Sequence, residues 1–574
     1  MKTPRTLLLG LFLGIIFASH CEASTNYYVD PDWTGVQLGT ASQPWNALSA
    51  SAWTTINATL ASDDATIYFS ALKADGITQQ SRAWFIQCRR TDYGPHRLTL
   101  DGYSFYNSSE TSPSWLPNPD TDINHAYQNH KAFKTTGDGT AMALGWTRVD
   151  GNDFVLHNGL YYCCIESHLA SSDNEPGVGP NWQLYWDQHG NSGAAWSSAT
   201  AYKCYAKQNN ITVRGFEVTG TAARSAASGD NLIWEYNYMH DVTNIGPGLQ
   251  LNYTSTLDSF GVWQIVARPS TNMTFRNFRI ERTYGEGFYL GAINPDAPFD
   301  FQVLHGNQYS HLLIENFVIV DPAINGGQGD AIDGKNGITY LTIRLGDISR
   351  FGRNGNGINL GYSATNTDQH ILVERNFIHD VIFDNLGAQR AIHAQAGDAR
   401  GASLYGFNGV TIRNNIIANC LYGIQFDGGT IQPATYGFIY NNTIYGATSL
   451  GLSVSVNVSN TEVKNNFVFG GANPQGLIGA SGVVSDYNAH DGKWSSASEG
   501  NHTLTLTRAE ALAAVVEAAR KNFHLITGTA LIGAGQTQSS FSDDYDGITR
   551  TVPWDISALK YVTPSTPTPT PTLP

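Results

Sequence analysis

A short phrase recurs along residues 211–468 and constrains the fold more than any other feature of the sequence. Each copy has three or four residues that alternate between apolar and polar, then Asn or Gly, then a second short apolar run, as in "ITVRGFEV", "LLIENFVI" and "VTIRNNII". The spacing of the copies varies, from 22 residues (Gly215 to Asn237) to 40 residues (Asn237 to Asn277). This variation indicates a fixed unit into which loops are inserted.

The repeating unit predicts a solenoid of short strands. Each unit has two or three alternating segments and no helical period, so it cannot close a core alone. Stacked units bury a continuous interior, with parallel strands about 4.8 Å apart in successive coils. The small or amide residues of the phrase are expected to form one inward column, in which Asn side chains satisfy buried backbone groups. The expected column is Gly215, Asn237, Asn277, Asn316, Gly346, Asn376, Asn415, Asn442 and Asn466.

Together with both ends of the chain, the repeats resemble a secreted right-handed parallel β-helix of the pectate-lyase-like superfamily. The start, "YYVDPDWTGVQLGTASQPW" followed by "WTTINATLAS", resembles the entry strand and capping helix of that superfamily. The end, "NFHLITGTALIGAGQTQSSFSDDYDGITRTVPWDISALKY", resembles its closing segment. The resemblance implies an all-β fold, a right-handed parallel β-helix with an N-terminal capping helix. It implies little about chemistry, because lyases, hydrolases, epimerases and non-enzymes share this fold.

Residues 158–186 differ from the repeats in composition. "NGLYYCCIESHLASSDNEPGVGPNWQLYW" is rich in aromatic and turn-forming residues and lacks the repeated phrase. It resembles the small carbohydrate-binding modules of the chitin- and cellulose-binding type, so we expect a small β insert in the solenoid. The flat faces of Trp182, Tyr185 and Trp186 would contact sugar rings. Alternatively, the same rings form the core of the insert.

The composition favours a turn-rich β protein that is exported. Gly accounts for 58 residues and charged residues for only 14% of the chain, which argues against a helical bundle. The formal net charge of −15 disfavours nucleic acid as a partner, and any anionic ligand requires a local basic patch. A basic start, the apolar "LLLGLFLGIIFA" and a small-residue site before Ser24 predict a signal peptide. No segment is long enough to span a membrane.

These features predict a secreted monomer with an ordered series of domains. Removal of the signal peptide leaves an odd number of cysteines without metal-type spacing, so either Cys163 or Cys164 bridges Cys204 or the thiols stay free. The expected domains are a signal peptide (1–23), the N-terminal cap and first coils (24–140), the carbohydrate-binding-type insert (141–204), the β-helix body (205–500), the closing segment (501–561) and a Pro/Thr linker (562–574).

A second strand in each coil brings polar side chains together. "GEGFYLG", "GDAIDGK", "GNGINLG", "QRAIHAQ", "LYGIQFD" and "SLGLSVS" are aligned on one inward apolar residue each, and period-two alternation then predicts outward columns. The inward residues are Phe288, Ile332, Ile358, Ile392, Ile424 and Leu452. The first outward column is Tyr289, Asp333, Asn359, His393, Gln425 and Ser453, and the next is Gly291, Lys335, Gly361, Gln395, Asp427 and Ser455. The entry-corner column is Glu286, Asp330, Asn356, Arg390, Tyr422 and Leu450.

These columns fit a polysaccharide lyase, which is the leading prediction. In such an enzyme a cation neutralises the uronate carboxylate and a basic side chain, Lys335, Arg353 or Arg390, removes the C5 proton. Ca²⁺ is the expected cofactor, with oxygen ligands from Glu286, Asp330 and Asp333. The candidate catalytic residues are Lys335, Asp333, Asp330, Arg390 and His393. The candidate substrate-binding residues are Glu286, Tyr289, Arg353, Asn359, Trp182, Tyr185 and Trp186.

Three alternatives stay open. Glu286 and Asp330 lie one coil apart, about 5 Å at the backbone, which is close to the carboxylate separation of a retaining glycoside hydrolase. A non-catalytic adhesin or tailspike-like protein would bind glycans through the same columns. In the structural alternative, Asp330, Asp333 and Lys335 pair with one another or with Arg390 and form a solvated face.

Overall fold

The protein is described by a computed structural model. The described residues are 24–30, 32–70, 84–87, 95–102, 147–150, 154–157, 160–164, 175, 178–180, 186–189, 201–207, 209–219, 225–242, 248–251, 255–257, 263–265, 270–291, 309–323, 329–335, 337–352, 355–361, 368–382, 389–394, 406–429, 433–471, 476–479, 482–496 and 499–563. The expected signal peptide and all but the first residues of the Pro/Thr linker lie outside them. Within this part of the chain, no helix is long and apolar enough to cross a membrane.

Short strands dominate the described residues. The strands up to the middle of the chain are β1 (Thr25–Val29), β2 (Ala65–Phe69), β3 (Trp84–Gln87), β4 (Leu98–Asp101), β5 (Thr147–Asp150), β6 (Phe154–His157), β7 (Leu160–Cys164), β8 (Trp186–His189), β9 (Ala201–Lys207), β10 (Ile211–Arg214), β11 (Glu217–Thr219), β12 (Ser225–Ser228), β13 (Ile233–Glu235), β14 (Tyr238–Val242), β15 (Leu249–Leu251), β16 (Ser255–Leu257), β17 (Trp263–Ile265), β18 (Ser270–Thr283), β19 (Phe288–Leu290), β20 (Tyr309–Val320), β21 (Ile332–Gly334) and β22 (Ile338–Ser349).

Short strands also dominate the second half of the chain. The strands are β23 (Ile358–Leu360), β24 (Ile371–Glu374), β25 (Phe377–His379), β26 (Arg390–Ala394), β27 (Asn408–Arg413), β28 (Ile416–Ala418), β29 (Tyr422–Phe426), β30 (Ala434–Tyr440), β31 (Thr443–Tyr445), β32 (Leu450–Val454), β33 (Val458–Lys464), β34 (Phe467–Phe469), β35 (Gly476–Ile478), β36 (Gly482–Asp486), β37 (Ala489–His490), β38 (Trp494–Ser496), β39 (Leu504–Thr505), β40 (Val515–Glu517) and β41 (Asn522–Leu525). The helices are α1 (Ala50–Leu60), α2 (Arg508–Ala513) and a 3₁₀ turn (Ala518–Arg520).

Three ladders of parallel strands show the expected fold class, an all-β, right-handed parallel β-helix. Each coil contributes one strand to each ladder, as β24, β25 and β26 do. Ladder A is β1, β2, β4, β10, β13, β18, β20, β22, β24, β27, β30, β33 and β36. Ladder B is β11, β14, β18, β20, β22, β25, β28, β31, β34, β37 and β39. Ladder C is β3, β9, β12, β15, β19, β21, β23, β26, β29, β32, β35 and β38.

The predicted capping helix and the predicted insert are both present. In α1 the Ser49 hydroxyl accepts from the Ala52 N–H, and the buried Trp53, Ile56 and Leu60 lie on one helical face that covers the first coils. The insert follows β4 and contains four antiparallel strands, β5 to β8.

A column of buried Asn side chains holds the bend between ladders A and B. Asn376, Asn415, Asn442, Asn466 and Asn488 are each fully buried. The backbone N–H and Nδ2 of each of the first four donate to Oδ1 of the next Asn, at 3.0–3.1 Å. Nδ2 also donates to a main-chain carbonyl of the preceding coil, as from Asn442 to Ile412 at 3.0 Å. The bends from Asn376 to Asn488 thus pair these buried polar groups within the protein.

Three members of the predicted Asn column were misplaced by one residue. Gly215, Asn277 and Asn316 have φ values of 77°, 52° and 49°, and they lie at the left-handed turn position that precedes the column, where Gly215 is buried and the two Asn are half-buried. At the next position, the buried column contains Phe278 and Phe317 in place of Asn. Their rings stack with their centres 5.4 Å apart. Gly346 continues the column, since a Cβ on it would lie 2.1 Å from Phe317 Cζ. The left-handed position also favours Asn and Gly, so the sequence pattern could not separate the two columns.

The closing segment covers the outer side of ladder B near its C-terminal end. Phe377, Ile416 and Phe467 of the ladder form one apolar cluster with residues of the segment such as Phe523 and Ile556. That face of the β-helix is therefore occupied by the chain itself.

Replacement of Asn442 by Ala should lower the free energy of unfolding by about 2 kcal/mol or more, because it leaves buried donors of Asn415 and the Ile412 carbonyl without partners. The measurement is urea denaturation at neutral pH. Thr411→Ala, on the half-buried outer side of the neighbouring strand, is the control and should change the value by less than about 0.5 kcal/mol. Equal losses in the two variants would contradict the role of the Asn column.

Candidate active site

The outer side of ladder C carries a polar strip whose register agrees with the predicted alignment. Phe288, Ile332, Ile358, Ile392, Ile424 and Leu452 pair in sequence and are buried, as expected. The next residue of each strand points to the other side. The polar strip is defined here as Glu286, Tyr289, Asp330, Asp333, Lys335, Asn356, Asn359, Arg390, His393, Tyr422, Gln425 and Asp427.

A column of very small residues places the strip close to the ladder. Gly287, Ala331, Gly357, Ala391 and Gly423 occupy equivalent positions in successive strands. A Cβ on Gly287 would lie 2.7 Å from the Ala331 carbonyl oxygen, and one on Gly357 would lie 2.5 Å from that of Ala391. Only small residues therefore fit beside the neighbouring strand, and the polar side chains on either side stack directly over one another.

Lys335 and Asp333 form an ion pair at the centre of the strip. Lys335 Nζ lies 2.5 Å from Asp333 Oδ2, and the Lys335 side chain is 21% exposed whereas the Asp333 side chain is fully buried. Asn359 Nδ2 donates to Asp333 Oδ1 at 3.1 Å. Lys335 Nζ also lies 5.4 Å from the centre of the Tyr289 ring. The buried carboxylate therefore stabilises the charged ammonium at the edge of solvent.

Asp330 is a buried carboxyl that Asn356 holds in place. Its Oδ1 accepts from the backbone N–H of Asn356 at 2.5 Å and from Asn356 Nδ2 at 3.0 Å. Burial, followed by the negative charge of Asp333, raises the pKa of Asp330 to about 8, although Lys335 and the Asn356 N–H lower it. Asp330 is thus largely protonated at neutral pH and adds little negative charge to the strip.

Glu286 is the partly exposed carboxyl of this group. It lies one coil before Asp330, in the same column. Burial, followed by the charge of Asp333, raises the pKa of Glu286 to about 7, while Lys335 opposes the shift. A carboxyl with this pKa can both accept and donate a proton near neutral pH.

A second network lies two and three coils further along. Arg390 Nε donates to Gln425 Oε1 at 2.5 Å, Gln425 Nε2 donates to Asp427 Oδ1 at 2.8 Å, and His393 Nε2 lies 2.7 Å from Asp427 Oδ2. The guanidinium also lies over the Tyr422 ring, 5.9 Å from its centre. Burial lowers the pKa of His393, which its hydrogen bond to Asp427 opposes. This network orients Arg390 and leaves His393 tied to Asp427.

Some candidate residues cannot be placed. Arg353, Trp182 and Tyr185 lie outside the described residues, and of Trp186 only the strand is described. Of the structural alternative, the ion pair between Asp333 and Lys335 is present, whereas Asp330 and Asp333 do not belong to a solvated face because both are fully buried.

Gln425 and Asp427 are functional candidates that the sequence reasoning did not select. Both stand in the predicted outward columns, so their position was available from the alignment. Their hydrogen bonds to Arg390 and His393 join different coils. A single sequence carries no signal for such pairings between distant residues.

Ca²⁺ at Glu286, Asp330 and Asp333 stays a prediction that the donor arrangement does not favour. Among the described residues, no three His, Cys, Asp or Glu side chains are grouped so that they could hold a metal ion. Several of the oxygens that would bind Ca²⁺ already have partners, since Asp333 contacts Lys335 and Asn359, and Asp330 Oδ1 accepts from Asn356. The ammonium occupies the position of a cation beside Asp333.

Comparisons with known proteins show no close relative. No protein-family model and no curated protein matches the chain. Among solved structures, it is similar to a lacto-N-biosidase from Eubacterium ramulus (13% identity, TM-score 0.38, 84% of this chain and 68% of that chain) and to the pectate lyase Pel9A (12% identity, TM-score 0.34, 94% and 98%). It is also similar to a rhamnogalacturonan lyase (11% identity, TM-score 0.28, 85% and 86%). Scores this low carry no argument about activity.

Asp330→Asn should remove a pH dependence of stability. The carboxyl binds its proton more tightly in the folded state (pKa about 8) than in the unfolded chain, where its pKa is about 4, so wild-type stability falls as pH rises between these values. Urea denaturation at pH 5 and pH 8.5 should show the variant gaining at least about 1 kcal/mol relative to wild type at the higher pH. If the difference in free energy of unfolding between the variant and wild type were the same at both pH values, ionisation of Asp330 would not destabilise the fold.

Proposed function

We propose that the protein is a secreted polysaccharide lyase that cleaves an acidic, uronate-containing polysaccharide by β-elimination at the polar strip. The observation that carries the proposal is that the polar strip presents one partly exposed carboxyl with a pKa near 7, Glu286, and, in the neighbouring coil, one partly exposed cation held by a buried carboxylate, Lys335. Lys335 lowers the pKa of Glu286. A polysaccharide bound across these two coils is proposed to meet both groups.

Lys335 is proposed to bind the uronate carboxylate. Its ammonium is stabilised by the buried Asp333 and partly faces solvent, so it can neutralise a substrate carboxylate and make the adjacent C5 proton more acidic. The same ion pair makes Lys335 a poor base. The catalytic base is therefore assigned to Glu286 in place of Lys335.

Glu286 is proposed to move the proton. Its carboxylate takes the C5 proton, the C5–H electron pair forms the C4=C5 double bond, and the C4–O bond to the leaving sugar breaks. The leaving oxygen then takes the proton from the Glu286 carboxyl, so the enzyme returns to its starting state. One group with a pKa near 7 suffices for both transfers.

Glycoside hydrolysis is the second candidate. The observation that favours it is the stacking of Glu286 and Asp330 in one column, with both pKa values raised. A hydrolase needs two carboxyls that reach the scissile bond, and Asp330 and Asp333 are fully buried. This burial favours elimination over hydrolysis. A non-catalytic glycan binder remains the outcome if no product forms.

Sugar binding by the insert, with Trp182, Tyr185 and Trp186, stays a prediction. It would tether the protein to a polysaccharide independently of the polar strip.

Incubation with a panel of uronate and neutral polysaccharides separates the candidate reactions. A lyase should raise both the ultraviolet absorbance of unsaturated uronate and the number of reducing ends, whereas a hydrolase raises reducing ends alone. Lys335→Gln should lower kcat/KM on uronate polymers by about 100-fold, and Lys335→Arg should restore part of it. If EDTA abolishes turnover and Ca²⁺ restores it, the Lys335 ammonium alone is not sufficient to neutralise the substrate carboxylate. Binding without either product would refute the enzyme proposal.

The pH dependence tests the role of Glu286. If its carboxylate is the base, kcat/KM should rise with pH through about 7 and then level off, because the ionised form is active. A fall through the same range would identify Glu286 as the acid of a hydrolase. Glu286→Gln should reduce kcat/KM by at least about 100-fold. Glu517→Gln, in the closing segment, is the control and should leave the profile unchanged.

A further inference from the structure

The outer side of ladder A has a pattern that repeats every two coils. Successive strands contain "TVR", "IWE", "TFR", "LIE", "TIR", "LVE" and "TIR", in which Thr-x-Arg alternates with an aliphatic residue, x and Glu. The first and third residues of each triplet point outward, since the middle residue is buried in the core. The parallel register stacks the third residues as Arg214, Glu235, Arg276, Glu315, Arg344, Glu374 and Arg413.

Acidic and basic members of this column pair between coils, but they are not equally exposed. Arg276 Nε lies 2.8 Å from Glu235 Oε2, with side chains 42% and 9% exposed. Arg344 Nη2 lies 2.7 Å from Glu315 Oε2, with side chains 39% and 18% exposed. Arg214 is 38% exposed and its partner Asp101 only 2%. The guanidinium groups therefore form the outermost layer, and the carboxylates lie beneath them.

The exposed arginines form a regular row. Arg214, Arg276 and Arg344 are each separated by two coils, or roughly 10 Å. Thr274 and Thr342 are half-buried and precede Arg276 and Arg344 by two residues on the same strands, whereas the equivalent Thr212 is buried and accepts from Arg97. Arg276 donates to Glu235 through Nε, whereas Arg214 and Arg344 contact Asp101 and Glu315 through both Nε and Nη2. The partner carboxylate thus uses the Nε side of each guanidinium and leaves Nη1 for a ligand, and Arg344 Nη1 also lies 4.0 Å from Glu374 Oε1. The buried carboxylates need these arginines as partners, but pairing alone does not require that the guanidinium groups stay about 40% exposed.

We propose that Arg214, Arg276 and Arg344, called the arginine row, form a second polysaccharide-binding surface, separate from the polar strip of ladder C. Its ligand is an extended acidic polysaccharide with a carboxylate or sulfate on every second sugar. An extended polysaccharide advances by about one coil spacing per sugar, so charges on alternate sugars meet successive arginines. Guanidinium groups bind such anions through two parallel hydrogen bonds. The row is the local basic surface that an anionic ligand needs on a chain with a net charge of −15.

Binding to hyaluronan, which carries a uronate on every second sugar, tests the proposal. All variants are made in the full chain with Glu286→Gln, so that cleavage does not compete with binding. The combined change R214Q/R276Q/R344Q should weaken the affinity at least tenfold. The matched control is R520Q, since Arg520 is 62% exposed and also pairs with a glutamate, Glu517, at 3.1 Å. The control should keep the parent affinity. Urea denaturation of each variant establishes that it is folded.

Other outcomes overturn the proposal. Unchanged affinity in the triple variant, an equal loss in R520Q, or no binding of hyaluronan by the parent would each do so. Equal affinity of the parent for neutral dextran would also overturn it, because the ligand would not need charge. If the triple variant fails to fold, R214K/R276K/R344K takes its place and should lose part of the affinity, since it keeps the charge without the planar fork. Turnover is not measured, so this result is independent of the proposed lyase activity.

Discussion

Hydrogen bonding between successive coils is the constraint on which the rest of the structure depends. Each coil has no core of its own, so its strands are stable only in register with the strands before and after them. The bends must keep this register without exposing buried backbone groups. The Asn376–Asn488 column does so, because each side chain donates to a main-chain carbonyl of the preceding coil and the first four also donate to the next Asn. Where Phe278 and Phe317 replace Asn, the stacked rings and Gly346 fill the same space.

The same register places chemistry on one face and charge balance on another. On ladder C, small residues such as Gly287 and Gly357 keep the strands close, and the acidic side chains of consecutive coils stack without alternating partners. Burial, followed by the negative charge of Asp333, raises the pKa values of Glu286 and Asp330. On ladder A, acidic and basic residues alternate from coil to coil, so each carboxylate meets a guanidinium. Stacked carboxyls thus mark the candidate active site on ladder C, whereas on ladder A the carboxylates are paired and the guanidinium groups form the outer layer.

Much of this fold could be predicted from the sequence, but less of the site could. The repeated phrase was sufficient for the parallel β-helix and for the register of ladder C, because period-two alternation and coil pairing leave few alternatives. It was insufficient at Gly215, Asn277 and Asn316, where two neighbouring columns favour the same residue types. The Lys335–Asp333 pair lies within one short segment, yet its burial depends on the neighbouring coils. The links from Arg390 to Gln425 and from His393 to Asp427 join coils more than thirty residues apart.

The sequence by itself determined the coil, the side-chain directions in ladder C and the polar columns, because these follow from local alternation and from the repeat. The tertiary structure decided which charges are buried and which reach solvent. Asp330 and Asp333 are withdrawn from water while Glu286 and Lys335 remain partly accessible. Protonation and ion pairing depend on the distance to other charges and on burial, which a linear pattern does not contain. The proposal of Glu286 as the base and Lys335 as the carboxylate-binding cation therefore depends on the folded structure.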